Sequence, residues 1–98
     1  MIRIVKMNYK EEHIQDFLNL FEERKLQIRN SKGCNYLELW NDKDNQTIYY
    51  SYSIWDDVSD LNEYRHSELF KDTWSKFKTW FQDKPQVFNI EKKKLYYE

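Results

Sequence analysis

At 98 residues with a net charge of −1 and 34% charged side chains, the chain reads as a single domain over residues 1–98, and its mixed charges form no basic stripe of the kind a phosphate backbone requires, which excludes nucleic acid. One glycine and one proline leave no glycine-rich phosphate loop, and one cysteine, Cys34, leaves neither an internal disulfide nor a cysteine metal cluster, so no metal is expected. No signal peptide and no apolar run long enough to span a membrane stand in the sequence; the cytoplasm is the expected location and no membrane partner is expected.

Residues Ile2–Tyr9 alternate Ile2 and Ile4 against Val5 and Met7, the period of a strand. Over Lys10–Gly33 the apolar residues Ile14, Phe17, Leu18, Phe21 and Ile28 recur at helical spacing. Glu11 and Glu12 suit the positive end of that helix, Arg24, Lys25 and Arg29 suit the negative end, and Gly33 is the stop. Cys34–Asn41 and Gln46–Trp55 are strands by their β-branched and aromatic content, joined by the polar turn Asp42–Asn45 into a hairpin. Asp56–Lys84 is helical, either unbroken or interrupted near His66-Ser67 with Ser67 capping a second segment. Pro85 separates it from a last strand, Gln86–Tyr97. Lys92-Lys93-Lys94 reads as a solvated strand end.

The order β-α-β-β-α-β is the ferredoxin-like split arrangement, an α+β fold with a four-stranded antiparallel sheet and the helices on one face. In the third strand Ile48, Tyr50, Tyr52 and Ile54 point one way, while Thr47, Tyr49, Ser51, Ser53 and Trp55 point the other. In the second, Leu37 and Leu39 oppose Cys34, Tyr36, Glu38 and Trp40. Helices cover one face only, so the face carrying Trp, Tyr and Cys among Ser and Glu is expected to be buried against a second copy, giving a homodimer through the helix-free face.

The segment Tyr64–Phe81 concentrates rings and one imidazole. If the helix is unbroken, His66, Phe70, Trp74, Phe77 and Phe81 share one face, either as a core stripe or as the wall of a pocket. A break at Ser67 instead turns the imidazole away and leaves it to cap a helix end. His13 is expected to face solvent, and Cys34 to be a buried strand thiol.

Two stretches, Glu11–Trp40 and Ser53–Trp74, resemble the antibiotic biosynthesis monooxygenase (ABM) domain family: Trp55 at a strand end, an acidic stretch, then Ser67-Glu68-Leu69-Phe70-Lys71, with a helix-Gly-Cys turn at Lys32–Cys34. The resemblance implies a dimeric α+β barrel of two sheets face to face, each subunit with a cavity between sheet and helices. It implies an oxygenase that uses neither metal nor flavin, and so no cofactor, on a small phenol- or quinol-type aromatic. His66 is then the candidate base and Asn8 a carbonyl-holding residue, with Tyr50, Tyr52, Tyr64, Phe70 and Trp74 lining the pocket and Tyr49 a further phenol able to orient the substrate. Other members degrade haem with a helix histidine, a pocket Trp and a first-strand Asn; those positions fall on Trp74, Tyr64 and Asn8, and indole cannot ligate iron. A non-catalytic dimeric module that binds a small ligand, and a purely structural dimer with a filled core, are the competing readings.

Overall fold

The computed structural model describes residues 1–93. Strand β1 (Ile2–Asn8) leads through a 3-10 turn (Glu11–His13) into helix α1 (Ile14–Arg29); β2 (Cys34–Asn41) and β3 (Ile48–Trp55) follow, then α2 (Val58–Arg65), α3 (Glu68–Phe77) with a 3-10 extension (Lys78–Trp80), and β4 (Gln86–Ile90). The strands form one antiparallel sheet in the order β2-β3-β1-β4, the α+β ferredoxin-like arrangement expected. Of the expected last strand, residues 94–97 lie outside the described residues, as does Lys94; Lys92 and Lys93 follow the end of β4 and are exposed. Among the described residues no helix is long and apolar enough to cross a membrane.

Local chemistry sets the element ends. Gly33 adopts φ 80°, and a Cβ there would overlap the Asp60 side chain, so both conformation and packing require glycine where α1 turns into β2. The hairpin turn is closed by Asp42, whose Oδ1 accepts from the backbone N–H of Asp44 (2.9 Å) and Asn45 (3.0 Å). Asn45 in turn accepts from the Thr47 N–H at 3.1 Å, which holds Gln46 and Thr47 in the turn and starts β3 at Ile48 rather than Gln46. Tyr9 leaves β1 to make an isolated bridge with Phe81.

The second helical region is broken. Ser67 Oγ accepts from the Phe70 N–H at 3.1 Å and caps α3, while its own hydroxyl donates to the Tyr64 carbonyl at 2.5 Å, so α2 and α3 are separate helices with a corner between them. The continuous face running from His66 to Phe81 therefore does not exist.

Register decides which sheet face is which. Arg3 pairs with Ser53, Val5 with Ser51 and Met7 with Tyr49, while Leu37 and Leu39 pair with Ser53 and Ser51. Val5, Met7, Tyr49, Ser53 and Trp55 are buried on this side, beneath the helices, Trp55 against Leu61 and Tyr64 of α2. Tyr36, Glu38 and Trp40 pair with Ile54, Tyr52 and Tyr50 on the opposite, helix-free side. The expectation that the isoleucines and Tyr50 and Tyr52 of β3 face the helices is thus inverted. The set with Ser51 and Ser53 between Tyr49 and Trp55 is internal and the set with the isoleucines, Tyr50 and Tyr52 is external, because β1 and β2 place their own buried residues beside the serines.

Two buried clusters share the helix-facing side. Tyr9, Phe17, Tyr49 and Phe77 with Val5, Met7 and Leu20 form a ring-built core, with Tyr9 stacked on Phe17 at 4.1 Å and Phe77 edge-on to Phe17 at 4.9 Å. Cys34, Trp55 and Leu61, with Met1 and Tyr64, form the second. Between them the chain leaves space.

Candidate functional site

The space has a simple origin. Along β3 the helix-facing residues run Tyr49, Ser51, Ser53, Trp55: large at each end and small in the middle. Rings span the gap from the helical side. Trp55 stacks on Tyr64 of α2 at 5.1 Å, Tyr64 meets Phe70 of α3 edge-on at 5.3 Å, and Phe70 stacks over Trp74 at 5.9 Å. Phe21 and Ile28 of α1, Leu37 of β2 and Arg3, Val5 and Met7 of β1 complete the wall, with Thr73 and Phe77. The cavity volume is about 60 Å³. A cavity of about 150 Å³ takes up benzene, and one water needs about 10–15 Å³. At this volume the cavity holds a few waters, and an aromatic ring is accommodated only as a wall yields. The corner at Ser67 lies between two of those walls, Tyr64 and Phe70.

Five polar side chains line it: Arg3, Ser51, Ser53, Tyr64 and Thr73. Ser53 Oγ accepts from the Trp55 indole N–H at 3.0 Å, which fixes the indole ring. Thr73 Oγ1 accepts from Arg24 at 2.8 Å, and the same guanidinium reaches Asp72 at 2.8 Å, tying α1 to α3 behind the cavity. The Arg24 hydrogen bond, ahead of one from Lys76, holds the Asp72 carboxyl below the usual carboxylate range. Burial pushes the Tyr64 phenol up to about 12, against the opposing pull of the Arg3 cation. Burial lowers the Arg3 pKa, helped by the Arg65 guanidinium, yet an arginine stays protonated at neutral pH.

A family model described as antibiotic biosynthesis monooxygenase matches residues 1–75, which takes in every residue of the cavity wall but Phe77. The chain belongs to the antibiotic biosynthesis monooxygenase family. Solved structures of this shape include a conserved protein from Methanosarcina mazei Go1 (26% identity, TM-score 0.86, covering 95% of this chain and 92% of that one). An antibiotic biosynthesis monooxygenase is 18% identical with TM-score 0.84, over 94% of this chain and 98% of its own. A protein of Mycobacterium tuberculosis is 12% identical with TM-score 0.83, over 95% and 97%. At such identities the last two likenesses speak to the fold. No curated protein matches the sequence.

The ABM cavity brings together three of the residues expected from the sequence, Tyr64, Phe70 and Trp74. Tyr50 and Tyr52 stand on the opposite face of the sheet, Tyr52 stacked with Trp40 at 4.7 Å, and do not reach it. Tyr49 belongs to the ring-built core, 5.3 Å from Phe17. His66 is the C-cap of α2: its ring is exposed and its Nδ1 lies 2.7 Å from the Asn62 carbonyl, outside the cavity wall. The expected placement of His66 at the pocket is corrected by the Ser67 break, which sets the helical phase of α3 independently of α2. Asn8 sits at the far end of β1, where its Oδ1 accepts from Thr47 (2.7 Å) and Gln82 (2.7 Å) and its Nδ2 donates to Asp83 (2.5 Å). It ties the hairpin turn to the segment after α3. His13 is half-buried, stacked on Trp80 at 6.2 Å and paired with Asp16 at 2.8 Å. Cys34 is a buried thiol whose pKa is raised chiefly by that burial.

The residues that sequence reasoning missed are the polar ones: Arg3, Ser51, Ser53 and Thr73. A signal for the serines existed, since small residues between Tyr49 and Trp55 on one strand face mark a gap in a core. The cavity does not fit a haem. The resemblance puts the iron ligand at Trp74, whose indole cannot ligate, neither imidazole lines the wall, and about 60 Å³ is far smaller than a macrocycle.

Proposed function

We propose that this ABM protein is an oxygenase that needs neither metal nor flavin and acts on a small aromatic phenol or quinol held in the Trp55–Tyr64–Phe70–Trp74 cavity. The observation that carries the reading is a ring-walled cavity, bounded by hydroxyls, between sheet and helices in a chain of this family. A phenol that loses its proton becomes an electron-rich anion able to pass one electron to dioxygen directly. The protein's part is then to exclude water and to offer hydrogen-bond donors to the anion. Ser51, Thr73 and Tyr64 bring hydroxyl donors to the cavity wall. A role for His66 as base requires the α2–α3 corner to turn its ring inward. Oxygen uptake by the purified, dialysed protein against a panel of quinols tests the reading. Uptake above the spontaneous rate is expected, and a panel that binds without consuming oxygen overturns it.

One observation favours the binding-module reading instead: no group that titrates near neutrality lines the cavity. Arg3 and Tyr64 stay protonated, and serine and threonine do not ionise. Binding without oxygen uptake is the result this second reading expects.

The helix-free face supports a homodimer. Tyr36 (42%), Trp40 (38%), Phe88 (46%) and Ile90 (43%) are exposed there, beside half-buried Ile2, Ile4, Tyr50, Tyr52 and Ile54. Glu38 among them is already satisfied by the Tyr36 hydroxyl and by the Trp40 indole at 3.0 Å, so a second copy can cover the face without stranding that charge. The Tyr36 bond, then the Trp40 bond, holds the Glu38 carboxyl below its ordinary range. Light scattering at micromolar concentration is expected to give twice the chain mass. A buried free thiol at Cys34 fits a reducing compartment, in keeping with a cytoplasmic location.

A further inference from the structure

The cavity contains one charge and nothing on its wall to neutralise it. Arg3 lies in β1 between Ser53 and Asn89, only 7% exposed. Among the described residues its guanidinium enters no salt bridge and no side-chain hydrogen bond, and no Asp or Glu lines the cavity. No buried side-chain nitrogen or oxygen among those residues is sealed off without a partner, so the Arg3 nitrogens retain some accessible surface, and the residue borders the cavity. A like charge, Arg65, adds repulsion and gives no relief. A cation removed from water and left without a counter-ion is costly, and proteins normally pair it.

We propose that Arg3 anchors an anion subsite in this cavity, and that the ligand is a single aromatic ring bearing one anionic oxygen group, a phenolate or a carboxylate. The inference rests on the cavity being the ligand site, as proposed above, and it narrows the ligand class. A guanidinium offers a planar fork of donors matched to oxyanions, and a charge-assisted hydrogen bond is stronger than a neutral one. Ser51 and Tyr64 stand on the same wall and add neutral donors. A neutral ring would leave the guanidinium as unpaired as before, while a cationic ring would be repelled. The cavity is smaller than one ring requires, so a single ring asks for the least movement of its walls. For a phenol, holding the phenolate beside Arg3 favours ionisation of the ligand itself, which removes the need for a neutral-pKa base in the wall.

Binding separates this inference from the oxygenase reading. Calorimetry would compare benzoate with benzamide, and the absorbance of 4-nitrophenol would report the ionisation of the bound phenol. Benzoate is expected to bind about tenfold tighter than benzamide or better, and the apparent pKa of 4-nitrophenol to fall on binding. Arg3→Met is expected to abolish both preferences and leave benzamide binding unchanged, with Arg3→Lys retaining part of each. Equal binding of anionic and neutral rings by the native protein, or no change in Arg3→Met, overturns the subsite while ring binding stands. If Arg3→Met fails to fold, the native anion-to-neutral ratio and Arg3→Lys decide. Anion preference without oxygen uptake leaves the subsite standing and removes only the oxygenase. No binding of any ring overturns both.

Discussion

The two halves of the helix-facing core use the same sheet differently. At the Tyr9–Tyr49 end, rings from β1, β3, α1 and α3 interlock, and Tyr9 and Phe17 have no exposed surface. A few residues along, Ser51 and Ser53 replace rings, a guanidinium takes the place of an aliphatic chain, and the helical rings bridge a space instead of filling it. The filled half secures the fold, so the hollow half is free to forgo packing. Among the described residues Arg3, buried and in no salt bridge, borders the hollow half, and the proposed anion subsite rests on that contrast.

Breaking the filled half is expected to have the largest effect. Phe17→Ala should cost about 3–5 kcal/mol by denaturant unfolding, because it removes a fully buried ring contacted by Tyr9, Tyr49 and Phe77. In a chain this small that is a large share of the total stability.

Alkaline pH sharpens the comparison with one titration. Burial raises both the Tyr9 phenol, in the filled half, and the Tyr64 phenol, in the hollow half, the latter to about 12. An unfolded tyrosine ionises near pH ~10, so the stability held by the neutral folded phenols is fully present below that pH. It is lost as pH rises from there through the folded values. Denaturation midpoints should fall progressively above pH ~10, with Tyr9→Phe flattening the fall more than Tyr64→Phe, since Tyr9 is fully buried while the Arg3 cation opposes the shift at Tyr64.

Filling the hollow half should separate function from stability. Ser51→Val adds apolar volume where there is space and leaves the Ser53–Trp55 hydrogen bond intact. Stability should change by less than about 1 kcal/mol, while aromatic ligands bind at least about tenfold more weakly. Retained binding would mean that rings sit elsewhere.

The smallest effect belongs to His66→Ala. The ring is exposed and its Nδ1 meets the Asn62 carbonyl of α2, so ligand affinity and turnover should match the native protein, with a stability change within about 0.5 kcal/mol. A selective loss of turnover would show that the α2–α3 corner rearranges to bring the imidazole inward.

Much of this architecture was legible in the chain because it is local. Strand alternation, the helical spacing from Ile14 to Ile28, the Asp42–Asn45 turn, the stop at Gly33 and the capping capacity of Ser67 each depend on neighbours within a few residues. Tyr64, Phe70 and Trp74 were also within reach, since a run of rings on the helical segment has to meet something large. The sense of β3 was not. Period-two alternation separates Tyr49, Ser51, Ser53 and Trp55 from Ile48, Tyr50, Tyr52 and Ile54, and both sets carry rings. Which set the helices cover depends on pairing with β1 and β2 far away in sequence, and hydrophobicity alone points to the isoleucines. The same long-range register carries Arg3, on its face an ordinary strand arginine, to the edge of a cavity, and the capped corner at Ser67 turns His66 away from it. Sequence by itself determined the elements and their order because backbone conformation answers to near neighbours. Only the tertiary structure decided which side chains share the cavity, because that depends on how strands and helices meet across the sheet.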